Sequence, residues 1–259
     1  MRRDLDELIK GKSVALRFSE DNSPDDQAQY LIPLEDFFQF GLSVDCIVFG
    51  FDGQDLKVLL IKRGVAPFKS YWALPGDLVY PHEDLDAAAQ RVLENLTGIS
   101  EVFMQQIKSF GKVDRHPLGR VLTVAYNALI RVENYEPRAA FWADNVRWHT
   151  LSELGELAFD HNEILAKGVE KLKARVRNQP LGFELLPVNF TLNQLQKLYE
   201  AVLGQTLDKR NFRKKILGMN FLVKLDAKQT KDTRRPAQLY TFDRLRYDEL
   251  THRGFNFEV

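Results

Sequence analysis

Cysteine is almost absent: Cys46 is the only one in 259 residues. One thiol can form neither an intramolecular disulfide nor a cysteine-based zinc cluster. Inside the apolar run VDCIVFG it reads as a small buried core residue. Long hydrophobic runs are missing too, none approaching the roughly 18–20 residues of a membrane-spanning helix. The N-terminal MRRDLDELIK carries a basic pair with no apolar segment behind it, unlike a secretory signal. A cytoplasmic protein without membrane partners is expected. Neither sign of charge dominates, since 36 Lys and Arg face 36 Asp and Glu.

What charge there is lies unevenly. Residues 191–259 hold fourteen Lys and Arg against eight Asp and Glu, which leaves the preceding body acidic. Such a split suggests two parts with different partners, one of them nucleic acid. The chain divides accordingly into an N-terminal extension (1–35), an α/β effector domain (36–178) and a basic C-terminal domain (179–259). The extension contains the turn-rich SEDNSPDDQAQ and is expected to be a loop with one short helix before it. From Leu42, LSVDCIVFGFDGQDLKVLLIKR predicts a hairpin, and runs such as VLLI suit strands covered on both faces. ALPGDLV is a further short strand. An amphipathic helix follows, with Asp84 as N-cap, an apolar face of Leu85, Ala88, Ala89, Val92, Leu93 and Leu96, and Gly98 as left-handed stop. SEVFMQQIKSFG, VLTVAYNALIRV and NVRWHTL supply strands, and a long helix ends before Pro180.

After Pro180, LGFELLPVNF reads as an apolar linker. Thr191 then caps a helix that Gly204 stops, and Asp208 caps a second helix, LDKRNFRKKILGM, closed by Gly218. NFLVKLD, a basic tip and QLYTF predict a hairpin. Helix, tight turn, basic helix and basic hairpin make a winged helix-turn-helix. Phe212, Ile216 and Leu217 give the second helix its core face. Lys209, Arg210 and Asn211 lie at the end that meets base edges, and Arg213 and Lys214 can reach bases or phosphates. Lys231, Arg234 and Arg235 at the hairpin tip suit phosphate or the minor groove. Because such modules bind paired half-sites, a homodimer on operator DNA is expected.

Residues 75–99, PGDLVYPHEDLDAAAQRVLENLTGI, resemble the Nudix box G-x5-E-x7-R-E-U-x-E-E-x-G-U, in which U is apolar. Glu83, Arg91 and Gly98 match, along with Leu93 and Ile99. Asp77 stands for the first Gly, and Val92, Asn95 and Leu96 stand for three Glu. Those three positions share one helix face, where a hard cation would need oxygen ligands. The reading is therefore a binding domain rather than an enzyme, with no catalytic residue, cofactor or metal. Glu83 and Arg91 remain able to pair and brace the loop.

The whole arrangement resembles the Nudix-related transcriptional regulators, with FTLNQLQKLYEAVLGQTLDKRNFRKKIL the most distinctive stretch. The resemblance implies a Nudix-type α/β/α sandwich with a mixed sheet, joined to a winged helix that binds operator DNA. It implies a small-molecule effector, either an ADP-ribose-like nucleotide or a sugar such as arabinose. A hydrolase of ADP-ribose or a related diphosphate is the alternative. In such a fold the pocket lies beside the 75–99 loop, where Arg63, Phe68, Trp72, Arg115 and Arg120 are candidate ligand contacts; His82 and His116 read as solvated loop residues. The long helix, running straight into the linker, is a route for a ligand signal.

Overall fold

A computed structural model of the chain describes residues 13–17, 29–33, 40–229, 236–255 and 257. The strands are β1 (Ser13–Arg17), β2 (Gln29–Pro33), β3 (Gly41–Phe51), β4 (Leu56–Arg63), β5 (Trp72–Ala73), β6 (Gly76–Leu78), β7 (Met104–Phe110), β8 (Val121–Arg131), β9 (Ala143–Thr150), β10 (Asn189–Thr191), β11 (Leu222–Gln229) and β12 (Ala237–Phe242). The helices are α1 (Leu85–Thr97), α2 (His161–Asn178), α3 (Leu192–Leu203), α4 (Lys209–Gly218) and α5 (Arg244–His252).

β3 is the spine of the larger sheet. Its second half pairs antiparallel with β4, its first half pairs antiparallel with β6, and along its whole length it runs parallel to β8. β7 flanks β8, and β5 and β9 flank β4, so the sheet has seven strands and is mixed. Helices cover both faces, which is why β3 and β4 are apolar nearly without interruption. Val44, Cys46 and Val48 face α1, where they meet Val92, Leu93 and Leu96. Those three helix side chains are fully buried and contribute on the order of 2 kcal/mol each. Ile47, Phe49 and Phe51 face α2 and its Ile164, Leu165 and Leu172. Gly168 lets α2 come close, because a methyl group there would collide with Ile47 Cδ1.

The α2-side core continues past the helix. Phe183, Leu185 and Leu186, in and after a 3-10 helix (Pro180–Leu185), join it to Leu195, Leu198, Tyr199, Phe212, Ile216 and Phe221. The segment read as a linker is therefore part of the core, and its last residues form β10, which pairs with β12. β10, β12 and β11 make a three-stranded sheet beside α3 and α4.

Three local expectations change. The N-terminal extension contains the antiparallel pair β1–β2 rather than a loop alone; SVALR and QYLIP carry the β-branched and aromatic residues strands favour. The short helix expected before them falls outside the described residues. Asp84 stands at the N-cap of α1 without a side-chain capping bond. α4 runs through Gly218, and the left-handed residue is Asn220 at φ 61°, a conformation asparagine tolerates. Thr191 and Gln194 form a reciprocal capping box, and Asp208 accepts from the Asn211 amide.

Candidate functional site

The box is rebuilt as a brace. Both Glu83 oxygens are taken up: Oε2 accepts from Arg91 Nε at 2.8 Å, and Oε1 from the same guanidinium and from the Tyr80 amide at 2.7 Å. Arg91 also donates to the Leu78 carbonyl and lies 3.8 Å over the Tyr80 ring. The hydrogen bonds from Arg91 push the Glu83 pKa down to about 2. Val92 and Leu96 are each 1% exposed, inside the core rather than on a polar face; Asn95 is exposed. Among the described residues no group of three or more His, Cys, Asp or Glu is placed to hold a metal ion.

Polar groups converge instead in a cavity of about 280 Å³ beside this loop. Asp45, on β3, is 4% exposed within an otherwise apolar strand. Residue alternation along β3 turns it to the α2 face, and Gly76 makes room, since a β-carbon there would overlap the carboxylate. His161 opens α2. Its Nδ1 accepts the Leu74 amide proton at 2.9 Å, so its own proton sits on Nε2, 3.3 Å from Asp45 Oδ1. Arg115 forks onto both oxygens of Asp160, at 2.9 and 2.7 Å, and reaches Asp45 at 3.4 Å. Burial alone would raise the Asp45 pKa; His161 and Arg115 outweigh it and keep the carboxyl below its ordinary value.

Arg63 is placed differently. Its Nε donates to the Pro67 carbonyl at 2.8 Å, and its guanidinium lies 4.8 Å from the Trp142 ring and 4.9 Å from Phe159. No carboxylate among the described residues lies within 4.0 Å of it. Burial lowers its pKa, with Asp77 and Asp45 opposing. His116, expected in solvent, is half-buried on the cavity wall, stacked 5.2 Å from Phe159 at 11°. Burial, then Arg115 and Arg63, lower its pKa. His82 is exposed.

Of the five expected ligand contacts, Arg63 and Arg115 line the cavity. Phe68 lies at its rim, 4.7 Å from the Phe159 ring. Trp72 points the other way, into the α2-side core and edge-on to His149. Arg120 donates to the Gly111 carbonyl and stacks loosely on Phe40, so it braces a loop outside the cavity. Asp45, Trp142, Phe159 and His161 were not anticipated. A larger open cleft of about 900 Å³ lies between α2 and α3, but the unpaired arginine and the aromatic rings are in the smaller cavity.

In the C-terminal domain, Lys209, Arg210, Asn211 and Lys214 are exposed along α4 and Arg213 is half-buried, its Nε without a hydrogen-bond partner. Phe212 and Ile216 hold α4 to the core; Leu217, expected there, is 41% exposed because its helical position falls outside their stripe. Lys231, Arg234 and Arg235 lie outside the described residues.

A three-layered α/β fold with a polar-lined cavity, carrying Val92, Asn95 and Leu96 at the box's acidic positions and a basic winged helix fused behind it, has the architecture of a ligand-responsive DNA-binding regulator. Comparison with known proteins agrees: the family described as NUDIX domain matches residues 39–172, and the NrtR DNA-binding winged helix domain matches 182–242. The chain is 37% identical over 220 residues to the "ADPR responsive transcriptional repressor NtrR" of Acinetobacter baylyi, covering 83% of this chain and 85% of that protein. A shorter match, 33% identical over 112 residues, is to an ADP-ribose pyrophosphatase of Methanocaldococcus jannaschii, covering 43% of this chain and 65% of that one. Among solved structures, Shewanella oneidensis NrtR complexed with a 27mer DNA superposes with a TM-score of 0.64 at 28% identity, over 78% of this chain and 93% of that one. The Nudix domain of the same protein complexed with ADP ribose gives 0.50 at 30% identity, over 54% and 92%. The chain belongs to the Nudix-related transcriptional regulator family.

Proposed function

We propose that this protein is an operator-binding regulator whose DNA affinity responds to ADP-ribose, acting as a homodimer. The carrying observation is Arg63: a cation held between two aromatic rings in a cavity, without a carboxylate partner. Such a group suits a diphosphate. Asp77 and Asp45, on the same cavity, can accept hydrogen bonds from ribose hydroxyls. The exposed rings of Phe68 and Tyr71 at the rim suit the adenine. The names of the Acinetobacter and Shewanella relatives support this ligand; a sugar effector would leave Arg63 without a counter-charge. DNA binding falls to the exposed cations of α4, with Lys209, Arg210 and Asn211 nearest the reading end, and to Lys231, Arg234 and Arg235 of the basic stretch between β11 and β12.

A pyrophosphatase is the competing reading, favoured by the Methanocaldococcus relative. Against it, a cation cannot be held by Val92 and Leu96 inside an apolar core. The deciding experiment measures operator binding by fluorescence anisotropy with and without ADP-ribose, and magnesium-dependent hydrolysis of ADP-ribose in parallel. Saturating ADP-ribose is expected to change operator affinity at least about 5-fold, with no chelator-sensitive turnover. Arg210→Ala is expected to weaken operator binding about 10-fold and to lower the salt slope by about one. Unchanged operator affinity, or brisk turnover abolished by chelator, overturns the reading.

A further inference from the structure

Two arginines face one cavity, and only one of them is available to a ligand. The Arg115 side chain is 3% exposed and is matched by Asp160 and Asp45. With two carboxylates on one guanidinium, Arg115 presents no net positive field to the cavity. What it grips is informative. Asp160 occupies the N-cap position of α2, yet its side chain caps no backbone amide; both oxygens go to Arg115. The loop 111–120 that carries Arg115 makes a second tie to the same helix turn, Lys112 to Glu163.

Between the cavity and the helix lies Phe159. Its φ is 54°, a left-handed conformation costly for a side chain of this size. Its ring is held from three sides by Phe68, His116 and the Arg63 guanidinium, all at the cavity or its rim. Anything that displaces that ring acts on the backbone one residue before Asp160. From there α2 runs about 27 Å as a rod of 18 residues. Its Leu172 and Val176 share a continuous core with Leu195 and Tyr199 of the winged helix.

We propose that Arg115 is a positioning residue and that 158–161 is the joint through which the cavity's occupancy reaches the DNA-binding domain: the Arg115–Asp160 fork sets the seating of α2, and a ligand acting on Phe159 shifts it. This rests on the ADP-ribose reading above and names how that site is coupled. Asp160 does not line the cavity, so coupling and binding can be separated by changing it.

The test uses the full-length chain and two variants. Asp160→Asn removes the charge, and Asp160→Ser removes it while supplying a good N-cap. ADP-ribose affinity is measured by calorimetry, and operator affinity by anisotropy with and without ADP-ribose. Thermal melting identifies which variant remains folded. The expected result is ADP-ribose affinity within about 3-fold of the unmodified chain, while the ratio of operator affinities with and without ligand falls at least 5-fold. A merely structural role would lower melting temperature and leave that ratio intact in the folded fraction. An unchanged ratio overturns the joint. Loss of ADP-ribose binding in a folded variant overturns it as well, because Asp160 would then belong to the ligand site. If the unmodified chain itself shows no response to ADP-ribose, the effector reading fails together with the joint; if it responds and both variants match it, only the joint fails.

Discussion

Helices α1 and α2 cover opposite faces of one sheet and treat polar groups in opposite ways. On α1, two of the three positions where the Nudix box has glutamates carry Val92 and Leu96, buried against Val44, Cys46 and Val48, and the third carries the exposed Asn95. At the start of α2, Asp160 is half-buried and His161 buried, but each has partners from other elements: Arg115 from a loop, Asp45 from β3, the Leu74 amide from the strand connection. A buried charge is tolerated when separate elements deliver its partners and is otherwise replaced by apolar volume. The α1 face has taken the second course and the α2 terminus the first. The buried polar network thus sits at the end of a helix that also reaches the winged helix, and away from the helix that carries the box.

The comparison breaks most visibly if α1 still tolerates an acid. Leu96→Glu is expected to lower the unfolding free energy by about 4 kcal/mol at pH 7 in urea titrations. The penalty should shrink towards acid pH, because burial raises the pKa of the new carboxyl and the protonated form is cheaper to bury. Magnesium should restore none of it. Recovery of stability in magnesium would show that this face still presents a cation site. On α2 the corresponding change is His161→Ala, expected to cost about 3 kcal/mol by the same measurement, since it leaves the Leu74 amide and one Asp45 oxygen without partners. A cost below about 1 kcal/mol would mean that the network is decorative.

Periodic features were legible in advance. The β3–β4 hairpin, the amphipathic α1 with its Gly98 stop, and the capped pair α3–α4 all follow from local pattern, and the structure has them. The buried network was not. Asp45 hides in VDCIVFG because a strand covered on both faces has no polar face to interrupt, and alternation alone cannot say which helix a lone carboxylate meets. Its partners come from a loop and a helix start far along the chain, and pairing of that kind is decided only by tertiary packing. The Asp-His pair opening α2 was the available signal, since acid and histidine side by side at a helix start have backbone amides to serve or partners to find. Trp72 and Arg120 lie away from the cavity for the complementary reason: closeness in sequence to a loop does not fix which way a side chain turns. The segment read as a linker became 3-10 helix and β10 because Phe183, Leu186 and Phe190 are needed to close the shared core.

The smallest expected effect tests whether the surviving box pair is only a brace. Glu83 has its folded pKa at about 2 against an ordinary 4.5, so its charge stabilises the fold above about pH 4.5, and that contribution is lost as pH falls from there towards 2. The raw shift overstates the effect, because solvent around the loop screens the pair, and about 1 kcal/mol is expected at neutral pH. Glu83→Gln should therefore cost about 1 kcal/mol at pH 7 in urea titrations, and the difference from the unmodified chain should vanish near pH 2. ADP-ribose affinity should stay within about 3-fold, because Glu83 has both oxygens turned to Arg91 and the Tyr80 amide and, unlike Asp77, takes no part in lining the cavity. A loss of ligand affinity larger than the loss of stability would return this residue from the brace to the binding site, and with it part of the chemistry that α1 has otherwise given up.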